Sequence, residues 1–197
     1  MWLPVVFIKM GITAQLLKNC LKGSERAYHE LYKLCFSDLM SVCVRYYKHQ
    51  EDSNSALNKA FLRIVQNLEK YNTDAPWDRW IKRIMINTII NEYQSNKRRE
   101  ELFVTTDYSE SYIFDSMSYN DIAENIDVDH IKSFIHQLPD TQKQVFNMYA
   151  IDGYNHKEIS EMLQIPIGTS KWILSEARKK LKQKVEASMN ITREVAS

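Results

Sequence analysis

Between Leu138 and Val185 the chain reads LPDTQKQVFNMYAIDGYNHKEISEMLQIPIGTSKWILSEARKKLKQKV. Apolar residues recur at helical spacing, stop at Gly153, resume for a short helix, stop for a three-residue turn, and run on as a longer basic helix. That layout is a helix-turn-helix and leaves no room for a strand-built C-terminal half. The rest of the chain points the same way. Only four Gly and four Pro stand in 197 residues, so material for turns is scarce and few, long helices are favoured. The expected fold class is all-α, with two small helical domains joined by a flexible acidic linker. The expected divisions are a disordered N-terminal extension over 1–11, a helical domain over 12–99, the linker over 100–127, a helix-turn-helix domain over 128–186, and a tail over 187–197. Met10 is the expected natural start.

Net charge is only +1, but the charges are unevenly spread. Residues 79–99 carry six Lys/Arg against one Glu, and residues 155–185 carry seven against three. Residues 101–140 carry nine Asp/Glu against the single Lys132. Two basic modules therefore flank an acidic connector. Cys20, Cys35 and Cys43 have no CxxC spacing and no clustered His, so neither a disulfide framework nor a zinc site is expected, and reduced buried thiols are. The opening MWLPVVFIKM is too short to span a membrane and lacks a preceding basic segment, so no membrane insertion and no signal peptide are expected.

A short helix is expected over 12–22, followed by a break at Gly23-Ser24. Tyr28, Leu31, Tyr32, Cys35, Leu39, Val42, Cys43 and Tyr46 then form one apolar stripe. Asp52 or Ser53 can cap the next helix, whose stripe is Leu57, Phe61, Ile64, Val65 and Leu68. After the turn Asn72 to Pro76, with Pro76 at the first helical position, a helix from Trp77 to Arg99 buries Trp77, Trp80, Ile81, Ile84, Met85 and Thr88. Its other side carries Arg79, Lys82, Arg83, Asn87 and Lys97 beside Ile86 and Ile90, so that side is partly packed. Further on, Ile131, Phe134, Ile135 and Leu138 form a short stripe, and Val145, Phe146 and Tyr149 point inward.

In the helix-turn-helix, Ile159, Met162, Leu163, Ile173, Leu174, Ala177 and Leu181 make a mini-core. Lys171, Ser175, Arg178 and Lys182 fall on the opposite face, with Trp172 and Lys179 at its edge. A DNA-reading helix needs such a split, because Arg and Lys must reach phosphates and base edges while the apolar side anchors the helix. His156 has no accompanying nucleophile, metal set or phosphate-binding loop, so a cap or surface role is expected for it. No catalytic residue, metal ligand or cofactor is expected, and the chain does not read as an enzyme.

The elements Leu138-Pro139, Val145-Phe146, Tyr149, Gly153-Tyr154, His156 to Ile159, Gly168 to Lys171 and Ala177-Arg178 are similar to region four of extracytoplasmic-function RNA polymerase sigma factors. FLRIVQNLEKY, followed by WDRWIKRIMINTIINEYQSNKRR, resembles the family's region two, with Phe61, Trp80, Arg83 and Asn87 at its signature positions. The resemblance covers about residues 20–99 and 128–185.

The resemblance implies a cytoplasmic factor that binds core RNA polymerase and directs promoter-specific transcription initiation, with an anti-sigma factor as a further partner. Region four would hold the minus thirty-five element as duplex through Ser170, Lys171, Trp172, Ser175, Arg178, Lys179 and Lys182. Region two would hold the melted minus ten element as single-stranded DNA through Tyr71, Asn72, Trp77, Arg79, Lys82, Arg83, Asn87, Lys97, Arg98 and Arg99. There cations would neutralise phosphates, and Tyr71 or Trp77 would cover an unstacked base, although Trp77 and Trp80 also lie on the core stripe. Core polymerase would meet Asp52, Asn54, Ser55, Asn58, Lys59, Phe61 and Leu62. The linker reads equally as a plain tether or as an acidic mimic of RNA phosphates inside the polymerase.

Some positions depart from the family pattern. Asn54, Ser55, Asn58 and Lys59 replace acidic residues and a Gln-Glu pair, which should weaken docking on a basic partner surface. Gln164 replaces a Gly in a left-handed position, Pro166 replaces a Ser or Thr cap, and Glu176 replaces a basic residue. Two other functions stay open: a degenerate sigma-like regulatory or interaction protein, and a helix-turn-helix repressor.

Overall fold

The computed structural model describes residues 11–72, 75–103 and 128–195. The extension 1–10, the central linker 104–127 and the last two residues lie outside this range, as do the side chains of 97–103, 128–130 and 189–195. The described residues are helical, with no strand assigned among them beyond one isolated bridge residue. The chain divides into two compact units between Tyr93 and Gln94.

The N-terminal unit contains α1 (Ala14–Leu21), α2 (Glu25–Tyr46), α3 (Gln50–Gln66), a single 3₁₀ turn (Leu68–Lys70) and the first part of α4 (Trp77–Phe103). Thr13 caps α1 by accepting from Leu16 N at 3.1 Å. Gly23 takes φ +80°, the left-handed conformation that ends α1, and Ser24 then caps α2. The sequence reading placed the cap of α3 at Asp52 or Ser53, but the helix begins earlier, after His49. Ser53 is buried and its Oγ donates to the His49 carbonyl at 3.3 Å, so it braces the first turn from inside.

Leu31, Cys35, Leu39, Val42, Cys43 and Tyr46 of α2 pack in a core shared with Ala56, Leu57, Ala60 and Ile64 of α3 and Trp77, Ile81 and Met85 of α4. Thr88 is buried as well, whereas Trp80 and Ile84 are only half-buried. Ile86 and Ile90 are buried, so both flanks of α4 are packed. The three cysteines are free and buried, and burial pushes the Cys43 thiol up to about 12. Pro76 stands one residue before α4, and its carbonyl accepts from Trp80 N at 3.1 Å.

The C-terminal unit contains α5 (Val128–His136), α6 (Asp140–Phe146) continued by a π turn (Asn147–Ile151), α7 (His156–Leu163) and α8 (Ile167–Val195). Ile135, Leu138, Val145 and Met148 are buried, but Ile131 is 45% exposed and drops out of the expected stripe. Gly153 takes φ +77° and breaks the chain before α7. Two helices overrun their expected ends. α4 continues through Glu100, Glu101, Leu102 and Phe103, and α8 continues to Val195 through most of the segment read as a tail. No Gly or Pro follows Gly168 in the sequence, so nothing local stops α8.

Candidate nucleic-acid interfaces

In the C-terminal unit the helix-turn-helix is fixed by local bonds. Asn155 Oδ1 accepts from Lys157 N at 2.9 Å and Glu158 N at 3.0 Å, and Glu158 Oε2 accepts from Asn155 N at 2.9 Å. This reciprocal capping box satisfies the donors exposed at the start of α7. Gln164 takes φ 56° and ψ 43°, the left-handed conformation that the resemblance implies for it. Ser160 Oγ donates to the Ile165 carbonyl at 2.5 Å and the Pro166 carbonyl accepts from Ser170 N at 3.0 Å, which locks the turn. Ile159, Ile173, Leu174 and Ala177 are buried, while Met162, Leu163 and Leu181 are half-buried at the margin.

Lys171, Trp172, Ser175, Arg178, Lys179 and Lys182 are all exposed. Ser170 is not. It is fully buried with its Oγ 3.0 Å from His156 Nδ1, so it braces the turn and drops out of the DNA-facing set. His156 stacks on Tyr149 with ring centroids 4.6 Å apart, and the Arg178 guanidinium lies 5.5 Å from the centre of the same Tyr149 ring. Of the cap or surface role expected for His156, the cap belongs to Asn155, and His156 is a half-buried packing residue joining α7 to α8. Desolvation, with Lys171 and Arg178 nearby, holds its protonation below the ordinary histidine range. A helix advances about 100° per residue, which sets Trp172, Ser175 and Lys179 directly opposite the buried Ser170, Leu174 and Ala177. The sequence reading placed Trp172 and Lys179 at the edge. They hold the centre instead, and Arg178 is the edge residue.

In the N-terminal unit, a groove of about 260 Å³ runs between the α3 end and α4, lined by Arg63, Asn67, Lys70, Trp80, Ile84 and Asn87. Arg63 Nη1 donates to Thr88 Oγ1 at 3.2 Å, Asn67 Nδ2 to the Arg63 carbonyl at 2.8 Å, and Lys70 Nζ to Asn67 Oδ1 at 3.0 Å. Of the expected single-strand residues, Arg79 and Arg83 are exposed, Lys82 and Asn87 are half-buried, and Asn72 is exposed. The side chains of Lys97, Arg98 and Arg99 fall outside the described residues.

Trp77 is fully buried, with ring centroids 4.9 Å from Tyr71 and 5.3 Å from Trp80, and so is a core residue rather than a base platform. Tyr71 is half-buried against the same pair, and its hydroxyl donates to the Ala75 carbonyl at 2.8 Å, closing the turn. Arg63, Asn67 and Lys70 escaped the sequence reading. Their signal was present as polar residues at i, i+4 and i+7 beside the buried stripe.

The expected polymerase-facing residues Asp52, Asn54, Ser55, Asn58 and Lys59 are exposed on α3, with Leu62 58% exposed and Phe61 half-buried. Tyr32 donates to Asn58 Oδ1 at 3.0 Å and meets Phe61 edge-to-face at 5.0 Å. Lys59 Nζ pairs with Glu92 Oε1 at 2.6 Å, and Tyr47 donates to Glu92 Oε2 at 2.8 Å. The charge Lys59 adds is therefore largely answered within the unit.

Family models described as Sigma-70 region 2 and Sigma-70, region 4 match residues 31–99 and 131–181. The ECF RNA polymerase sigma factor SigW of Bacillus subtilis is 22% identical over 179 residues, covering 86% of this chain and 94% of that protein. The RNA polymerase sigma factor SigZ of the same organism is 28% identical over 155 residues, covering 74% and 82%. Among solved structures, the sigma factor RpoE of Bartonella quintana, crystallised with the anti-sigma factor NepR, superposes with TM-score 0.52 at 15% identity, covering 81% of this chain and 96% of that one.

Proposed function

The chain belongs to the extracytoplasmic-function RNA polymerase sigma factors, and from that premise we propose that it binds core RNA polymerase and directs initiation at promoters with a minus ten and a minus thirty-five element. The observation that carries this reading is the pairing, in one chain, of a helix-turn-helix whose outward face holds Lys171, Ser175, Lys179 and Lys182 with a second basic helix beside a groove. The cations of α8 suit the phosphates of duplex DNA, and the helix-turn-helix geometry delivers the early turns of α8 to base edges. The groove of Arg63, Lys70, Trp80 and Asn87 suits single-stranded DNA: cations for the backbone, a half-buried indole for a base face, and an amide for a base edge. Arg79, Lys82 and Arg83 extend that positive surface along α4. α3 docks on the polymerase through Asn54, Ser55, Asn58, Phe61 and Leu62, with apolar contact replacing charge. An anti-sigma factor that masks both units is the second partner, and the cytoplasm is where such a factor works.

Run-off transcription with reconstituted core tests the proposal. Defined transcripts that require the added chain support it, and their absence overturns it. A second reading is favoured by one observation, the neutral α3 face from Asn54 to Asn58. A sigma-like interaction protein without initiation activity would retain the helix-turn-helix and lose core binding. Recovery on core polymerase in a low-salt pull-down separates the two.

A further inference from the structure

α8 exposes a tryptophan where a phosphate-binding helix has no use for one. Trp172 is 62% exposed, the most of any exposed large apolar side chain among the described residues. Among those residues no ring or cation is stacked on it, whereas the neighbouring Arg178 is drawn onto Tyr149. It is the sixth residue of α8, within the early turns that a helix-turn-helix aims at base edges, and it sits between Gly168 and Ser175 at the centre of the outward face. Lys171 and Lys179 are exposed on the same helix and suit phosphates, while Lys182 pairs with Glu186 at 3.7 Å. An indole offers an apolar plane and a single N–H donor, with no charge and no acceptor. In a major groove the apolar complement is the 5-methyl of thymine, and the donor's complement is a base acceptor such as thymine O4 or purine N7.

We propose that Trp172 is a specificity-determining residue, its indole packed on the 5-methyl of one thymine in the upstream duplex element and its N–H turned to an adjacent base acceptor. The inference rests on the reading of α8 as the helix that enters that duplex. Gly168, which precedes Trp172 by one turn and has open space around its Cα, leaves room for the base pair to approach. Ser175, one turn later, is too short to compete for the same methyl group.

The test uses the full chain with core polymerase and duplexes randomised over the upstream element, enriched in parallel for the wild type and for Trp172→Ala. Each thymine of the wild-type element is then replaced singly by deoxyuridine, and binding of the labelled duplex is read by fluorescence anisotropy. At one position loss of the methyl weakens wild-type binding about fourfold, the factor one buried methyl corresponds to, and leaves Trp172→Ala indifferent. Trp172→Phe keeps the methyl sensitivity. Because the side chain is exposed, both variants retain the helical circular dichroism of the parent. Enrichment of the same element by wild type and Trp172→Ala, or equal sensitivity of both to every deoxyuridine, overturns the proposal while leaving the duplex reading intact. Failure of the wild type to enrich any element overturns both.

Discussion

The outward face of α8 and the groove beside α4 are suited to the same kind of polymer, but they differ in how far their side chains are already committed. On α8 Lys171, Lys179, Ser175 and Trp172 stand in solvent, with Lys182 held only by an exposed pair with Glu186 at 3.7 Å, on a helix whose position is set from behind by the Asn155 capping box and the His156–Ser170 contact. In the groove Arg63, Asn67 and Lys70 are already bonded to Thr88, to backbone and to one another. A rigid helix can carry free side chains into duplex DNA, because the duplex is itself ordered. A single strand has no shape of its own, and a pocket for it gains from side chains fixed beforehand, which lowers the ordering cost of binding. The difference is the one that the proposed function requires between a surface that reads a duplex and one that captures a single strand.

The largest expected effect comes from the two aromatics that sequence position alone made candidates for DNA contact. Trp77→Ala empties a fully buried site and lowers the stability of the N-terminal unit by about 3–5 kcal/mol, whereas Trp172→Ala changes stability by less than about 0.5 kcal/mol. Urea denaturation followed by circular dichroism measures both. Equal losses would erase the distinction between captured core and free reading face. Next comes the cap: Asn155→Ala removes the acceptor for two backbone N–H groups of α7 and costs about 1 kcal/mol, seen as a lower melting midpoint of the C-terminal unit. Gln164→Gly works in the other direction. Relief of left-handed strain, partly offset by the added freedom of the unfolded chain, stabilises by roughly 0.5 kcal/mol.

How much of this was legible in the sequence follows from the same contrast. Lys171, Ser175 and Lys182 were found because an isolated amphipathic helix shows its outward face by period alone, while Lys179 and Trp172 were set at its edge. The left-handed position of Gln164 came from the resemblance, in which a Gly stands at this point of the turn. Ser170 was misplaced because the resemblance carries it into the DNA-facing set, whereas the helical period sets it with the buried Leu174 and Ala177 and against His156. Trp77 stands on the buried stripe that the period of α4 predicts, so its burial follows the sequence, and only the base-covering role implied by the resemblance falls away. Arg63, Asn67 and Lys70 were passed over because a groove belongs to more than one element, and these residues at and beyond the end of α3 gained meaning only from Thr88, Trp80 and Asn87 across from them. Lys59 was read as an added charge because its answer, Glu92, lies 33 positions away on α4.

Two smaller effects sharpen the account of α8. Glu176 is half-buried beside the reading face, and Glu176→Arg strengthens binding to duplexes of any sequence, with a salt dependence steeper by about one phosphate contact. A gel-shift series over salt concentration reads both, and an unchanged slope would count against the electrostatic role assigned to that face. His156 gives the smallest effect. Its folded state resists protonation, so the unfolded chain binds more protons as pH falls below about 6.5. Stability is therefore fully present above that pH and declines as pH falls toward the depressed folded value. His156→Gln flattens this dependence in denaturation curves recorded between about pH 5 and 7, while an unchanged slope would place the proton uptake elsewhere.

The central claim is that one unit opens promoter DNA while the other holds it upstream. Permanganate oxidation of unstacked thymines, on a linear promoter duplex incubated with core polymerase with and without the chain, tests it most directly. The account predicts reactive thymines confined to the minus ten region, present only with the chain and lost in Asn87→Ala. Stable binding of the chain to core and duplex with no reactive thymine would contradict it and leave a binding protein that does not melt promoters.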